Sequence, residues 1–90
     1  MEIKSAETNL FKRDRKRMDK RGYNLDELKA VVAILKSGET LPSKYRDHSM
    51  DGMPGLRNCH IQSDWVLLYR YSADKTKLIL ERTVTPGDFM

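Results

Sequence analysis

The sequence predicts an α+β fold in which two N-terminal helices pack on a small antiparallel sheet. Helical spacing of apolar residues is confined to the first half of the chain, and short strand-like runs fill the second. Turn formers separate these segments at Gly22, Gly38, Pro42, Gly52, Pro54-Gly55 and Pro86-Gly87. Ninety residues make a single domain, 1–90, too short for a dinucleotide-binding fold or a barrel enzyme.

Residues 2–5 read as a short first strand. Residues 8–21 form a charged helix with a thin apolar stripe (Leu10, Phe11, Met18), and Gly22 stands where a C-terminal cap belongs. Asn24 is a suitable N-cap for a second helix carrying Leu25, Leu28, Val31, Val32 and Leu35, with Glu27 three positions after the cap and Gly38 closing it. Residues 41–55 lack any period and read as a long, partly extended loop. Strands are expected at 56–61, 64–71 and 76–83. The middle one is apolar on both faces over much of its length, as a central strand should be.

The composition is 39% hydrophobic and 33% charged, which supports a folded chain rather than a disordered one. Seventeen Lys and Arg against thirteen Asp and Glu leave a net charge of +4, which permits a polyanionic partner without requiring one. The excess is concentrated early: residues 1–22 hold eight basic and four acidic side chains, including Lys12, Arg13, Lys16 and Arg17. That helix reads as a solvated face or as a nucleic-acid contact. One cysteine, Cys59, excludes an internal disulfide and suggests a reducing compartment, where it would be a small buried side chain. With no apolar run of membrane-spanning length, the expectation is a soluble cytoplasmic protein without a membrane partner.

Hairpin counting yields a more specific expectation. A two-residue turn at Gln62-Ser63 sets Ile61 opposite Asp64 and His60 opposite Trp65. A four-residue loop from Ser72 to Lys75 then pairs Tyr71 with Thr76, Tyr69 with Leu78, Leu67 with Leu80 and Trp65 with Arg82. His60, Trp65 and Arg82 would form one row, while Leu67, Leu78 and Leu80 carry the helices. A slip of one residue in either hairpin destroys the row. Its chemistry would suit phosphodiester cleavage. Histidine moves protons near neutral pH, Arg matches a phosphate, and Trp can stack on a base. Two histidines without further ligands at metal spacing argue against zinc, so no metal and no cofactor is expected. Each residue also has a structural reading: Trp65 as core, Arg82 as an ion-pair partner of Asp64 or Asp88, and His48 as an exposed loop residue.

Three stretches extend the reading: Leu41-Pro42-Ser43-Lys44-Tyr45-Arg46-Asp47-His48, the run from Leu56 through His60, Asp64 and Trp65 to Tyr69, and Glu81-Arg82-Thr83. They resemble the YafQ branch of the RelE-like bacterial toxins, the messenger-RNA interferases of type II toxin–antitoxin systems. The helix pair and chain length match as well. The resemblance implies a ribosome-dependent endoribonuclease that cuts translated messenger RNA on the 70S ribosome. It also implies a cognate antitoxin, typically of the ribbon-helix-helix type. By position, the family's functional residues fall on His48, His60, Asp64, Trp65 and Arg82. His60 or His48 would accept the ribose 2′ proton, Asp64 would orient or charge-balance a histidine, and Arg82 would stabilise the phosphorane. Lys12, Arg13, Lys16 and Arg17 would hold ribosomal RNA.

The tail departs from that pattern. Pro86 occupies the place of a histidine general acid, and Met90 stands at a terminal aromatic position. The departure supports a second reading, a catalytically impaired RNA- or antitoxin-binding module of the same fold. A third is a structural partner whose helix pair docks on another chain.

Overall fold

Thr8 starts the first helix and ties it to the sheet. Its Oγ1 accepts from the Phe11 N–H at 3.0 Å and donates to the Glu81 carbonyl at 2.8 Å. In the computed structural model, which describes residues 3–88, this helix (α1) spans Asn9–Lys20. It ends in a Schellman motif, with the Tyr23 N–H on the Met18 carbonyl and the Gly22 N–H on that of Asp19. Gly22 supplies the positive φ of 89° that the motif requires. Asn24 caps the second helix (α2, Leu25–Lys36) by accepting from the Asp26 N–H.

The strands are β1 (Lys4–Glu7), β2 (His48–Ser49), β3 (Arg57–Gln62), β4 (Trp65–Tyr71) and β5 (Lys77–Val84). They form one sheet in the order β1-β5-β4-β3-β2. The sheet is mixed rather than antiparallel throughout, because β1 lies parallel to β5 with Lys4 opposite Lys77. The expected strand at 2–5 is displaced to 4–7, and Glu2 lies outside the described residues. The loop 41–55 contains a 3-10 turn at Ser43–Tyr45 as well as β2.

Both helices cover one face of the sheet. Phe11 and Met18 of α1 and Leu28, Val31 and Leu35 of α2 meet Ile61, Trp65, Leu67, Tyr69, Leu78 and Leu80 in the core. Burying such side chains contributes about 1.5–3 kcal/mol each and supplies the main drive for folding. Leu10, expected on the α1 stripe, is exposed; its place on the inner face belongs to Asp14, which is buried between Phe11 and Met18.

The register differs from the counted one in both hairpins. The β3–β4 turn is Ser63-Asp64, and an irregularity between His60 and Gln62 sets His60 opposite Val66 and Gln62 opposite Trp65. In the β4–β5 hairpin, Asp74 accepts from Ser72 and from the Thr76 N–H and hydroxyl, holding a turn that pairs Tyr71 with Leu78. A bulge at Glu81 then sets Leu68 opposite Arg82. These shifts place His60 and Trp65 on opposite faces, and Arg82 on the face away from Trp65. The row His60–Trp65–Arg82 does not exist. Counting from the turns missed two irregularities that only cross-strand packing sets.

Candidate functional site

The face away from the helices carries Asn58 and His60 from β3, Val66 and Leu68 from β4, and Arg82 and Val84 from β5. β2 adds His48, which pairs with Asn58. The site begins with the loop that delivers this histidine. Arg46 turns the chain with a left-handed backbone (φ 50°, ψ 41°). Asp47 then anchors it, accepting from Arg57 Nε and Nη2 at 3.2 and 3.1 Å and from the Tyr69 hydroxyl at 2.6 Å. Burial and this bond to Asp47 push the Tyr69 phenol far above its ordinary range. Hydrogen bonding to Asp47 likewise raises Arg57.

The anchored loop orients His48. Its Nδ1 lies 2.7 Å from the Arg46 carbonyl, which can only accept, so Nδ1 carries the proton in that contact. In the neutral ring, Nε2 is then a free base. The His48 and His60 rings lie 6.5 Å apart, their planes inclined by 30°. Sequence counting had not brought these two histidines together. His60 Nδ1 and Asn58 Oδ1 are buried without a hydrogen-bond partner among the described residues. Leaving such an atom unpaired costs about 1–3 kcal/mol.

Arg82 stands at the other end of the same face and turns toward α1. Its Nε and Nη2 donate to Asp14 Oδ2 and Oδ1 at 2.6 and 3.1 Å. The same carboxylate accepts from Arg17 Nη2 at 2.8 Å and from the Thr83 N–H at 3.2 Å. The partner expected for Arg82 was Asp64 or Asp88, and it is neither. Hydrogen bonding to Asp14 raises Arg82 above its usual value.

Trp65 is overturned as an RNA contact. It is 0% exposed, its ring lies 5.2 Å from that of Tyr23, and its Nε1 donates to Thr83 Oγ1 at 2.7 Å. No base can reach it. Asp64 accepts from the Tyr23 hydroxyl at 2.8 Å and therefore joins the hairpin turn to the segment between the helices. Lys12, Arg13 and Lys16 are exposed along α1, as expected, whereas Arg17 is tied to Asp14. Cys59 is fully buried, and desolvation pushes its thiol up to about 12. Pro86 opens a 3-10 turn (Pro86–Asp88) in which Asp88 accepts from the Thr85 N–H and from Arg21. The terminal aromatic position, Met90, lies outside the described residues.

The family model for the bacterial toxin of type II toxin–antitoxin systems, YafQ, matches residues 3–89. The chain belongs to the YafQ toxin family. A Haemophilus influenzae protein described as a YafQ toxin is 40% identical over 73 residues, covering 77% of this chain and 72% of that one. Among solved structures, the YafQ fold recurs in the Escherichia coli DinJ–YafQ toxin–antitoxin complex at a TM-score of 0.90 and 27% identity, covering 100% and 99% of the two chains. A metal-bound toxin from Helicobacter pylori matches at a TM-score of 0.90 and 28% identity over all of both chains. In this chain, no three His, Cys, Asp or Glu side chains among the described residues group as a metal site would need.

Asp14, Asp47 and Asn58 escaped the sequence reading. A signal existed for Asp14, an acidic residue spaced three after Phe11 and four before Met18 on the buried stripe of α1.

Proposed function

We propose that this YafQ-family toxin is a ribosome-dependent endoribonuclease that cuts translated messenger RNA by attack of a ribose 2′-hydroxyl on the adjacent phosphate. The observation that carries the reading is the histidine pair, with His48 presenting a free Nε2 beside His60. The 2′-hydroxyl gives its proton to His48 Nε2 as its oxygen attacks phosphorus. The bond to the 5′ oxygen breaks, that oxygen takes a proton, and the products are a 2′,3′-cyclic phosphate and a 5′-hydroxyl. With Pro86 where the family pattern has a histidine, the acid falls to His60. Its Nδ1 is buried, so it acts through Nε2. Arg82 stabilises charge on the phosphate. Asp64, bonded to Tyr23, supports the turn that ends β3 rather than the base itself. The exposed Lys12, Arg13 and Lys16 hold ribosomal RNA through backbone charge, a role Arg17 shares only in part.

The antitoxin partner follows from the family and from the E. coli relative, which is solved with DinJ. A ribbon-helix-helix protein with an acidic tail would suit the net charge of +4. Growth arrest and messenger-RNA cuts mapped by primer extension, after induction without the antitoxin, test the reading. Cuts should fall within translated codons and vanish when initiation is blocked. Efficient cutting of naked RNA would refute ribosome dependence.

One observation favours a second reading. Proline cannot donate a proton, and an impaired enzyme would grip RNA or antitoxin without cutting. Absence of cuts in translating cells, with ribosome binding retained, selects this alternative.

A further inference from the structure

A carboxylate on the inner face of a helix loses its hydration on folding, and it is tolerated there only when its oxygens are saturated by donors. Asp14 meets that condition on one side through the backbone, at Thr83 N–H, and on the other through two guanidinium groups. Arg17 and Arg82 share its Oδ1, so the two cations are held side by side, with side chains 44% and 30% exposed. Asp88, which also lies within electrostatic reach of Arg17 and Arg82, is bridged by Arg21, so three guanidinium groups face two carboxylates and the surplus is offered to solvent. Arg82 uses Nε and Nη2 in the pair and keeps Nη1 outside it. Two adjacent guanidinium forks match the oxygens of a phosphodiester. Backbone hydrogen bonding alone would not need Arg17, and a simple ion pair would not need the Thr83 amide.

We propose that Asp14 is a positioning residue that assembles Arg82 and Arg17 into a two-guanidinium seat for an RNA phosphate. The inference rests on the ribonuclease reading for its consequence in catalysis, but not for the phosphate seat itself. The seat lies on β5 beside α1, two strands across the same face from His60, and the phosphate it holds is the one on which Arg82 acts in the proposed cleavage. Asp14 acts through Arg82 and Arg17; it touches no substrate.

Asp14→Asn keeps the volume and an acceptor for the Thr83 amide while removing the charge. On programmed ribosomes, its single-turnover rate constant should fall roughly 10–100-fold, the scale of a misplaced catalytic group, with the half-saturating concentration changed less than about twofold. In a background carrying both Arg82→Ala and Arg17→Ala the same substitution should change the rate by less than about twofold, because its effect runs through those two side chains. Asp14→Glu should recover part of the loss. Melting curves report the folded fraction of every variant. A purely structural role predicts equal losses in both backgrounds, and that result, or an Asp14→Asn protein of full activity, overturns the proposal.

Nitrogen-15 spectra of the arginine side chains separate this proposal from the ribonuclease reading. A short 2′-deoxy oligonucleotide, which cannot be cut, should shift the Arg82 and Arg17 Nε signals together in the parent chain, and not in Asp14→Asn. If the parent cuts no RNA yet shows that joint shift, the ribonuclease reading fails and the seat stands. If the signals do not move, the seat is absent whatever the activity.

Discussion

Replacing Asp47 tests whether the loop that carries His48 is held by one carboxylate. Asp47→Ala strands the Tyr69 hydroxyl, whose residue is 1% exposed, without its 2.6 Å acceptor. An unsatisfied buried hydroxyl costs about 1–3 kcal/mol. The Arg57 pair, with a side chain 36% exposed, adds no more than about 1 kcal/mol because solvent screens it. The total is about 1–4 kcal/mol, which for a chain of this length lowers the melting temperature by about 5–30 °C. Tyr69→Phe removes the donor and the need for it together, and should cost about 1–1.5 kcal/mol. In the double variant, the second change should cost almost nothing. The expected coupling is therefore about 1–1.5 kcal/mol, measured by urea titration with the buried Trp65 as fluorescent probe. Additive losses, agreeing to within about 0.5 kcal/mol, would refute the claim that Asp47 and Tyr69 act as one anchor. Loss of the His48 ring's ordered resonance should accompany Asp47→Ala and not Tyr69→Phe.

His48→Ala and His60→Ala should each slow messenger-RNA cleavage about 100-fold or more, while antitoxin binding by calorimetry stays intact. Loss of binding together with activity would mark the residue as structural. Pro86→His restores an ionisable group on the tail and should raise cleavage above the parent chain; an unchanged rate would leave His60 as the acid. Alkaline pH supplies a separate check on burial. The Cys59 thiol is raised from 9.0 to about 12, so the folded state holds this proton more tightly than the unfolded one. Its contribution to stability is whole below pH 9 and is lost as pH rises toward 12. Cys59→Ala should flatten the fall in urea midpoint between these values, and an identical slope in both proteins would contradict the burial argument.

The local elements were legible in the sequence because local chemistry determines them. Asn24 lies where a helix needs an acceptor, Gly22 lies where a helix ends, and the apolar run of β4 marks a central strand. His48, His60 and Arg82 were legible as candidates by residue type and resemblance. Their arrangement was not. Register in a hairpin depends on the turn actually adopted, and here an irregularity between His60 and Gln62 sends Trp65 into the core and His60 to the other face, while Asp74 and a bulge at Glu81 set the place of Arg82. The partners of the arginines were equally hidden. Asp14 and Arg82 are 68 residues apart, and Tyr69 reaches Asp47 across 22. Such pairs form only once helix and sheet have packed, since burial is what makes a carboxylate seek donors from distant parts of the chain. Periodicity and caps belong to neighbouring residues, whereas the meeting of His48 with His60 and of Asp14 with two arginines belongs to the tertiary fold.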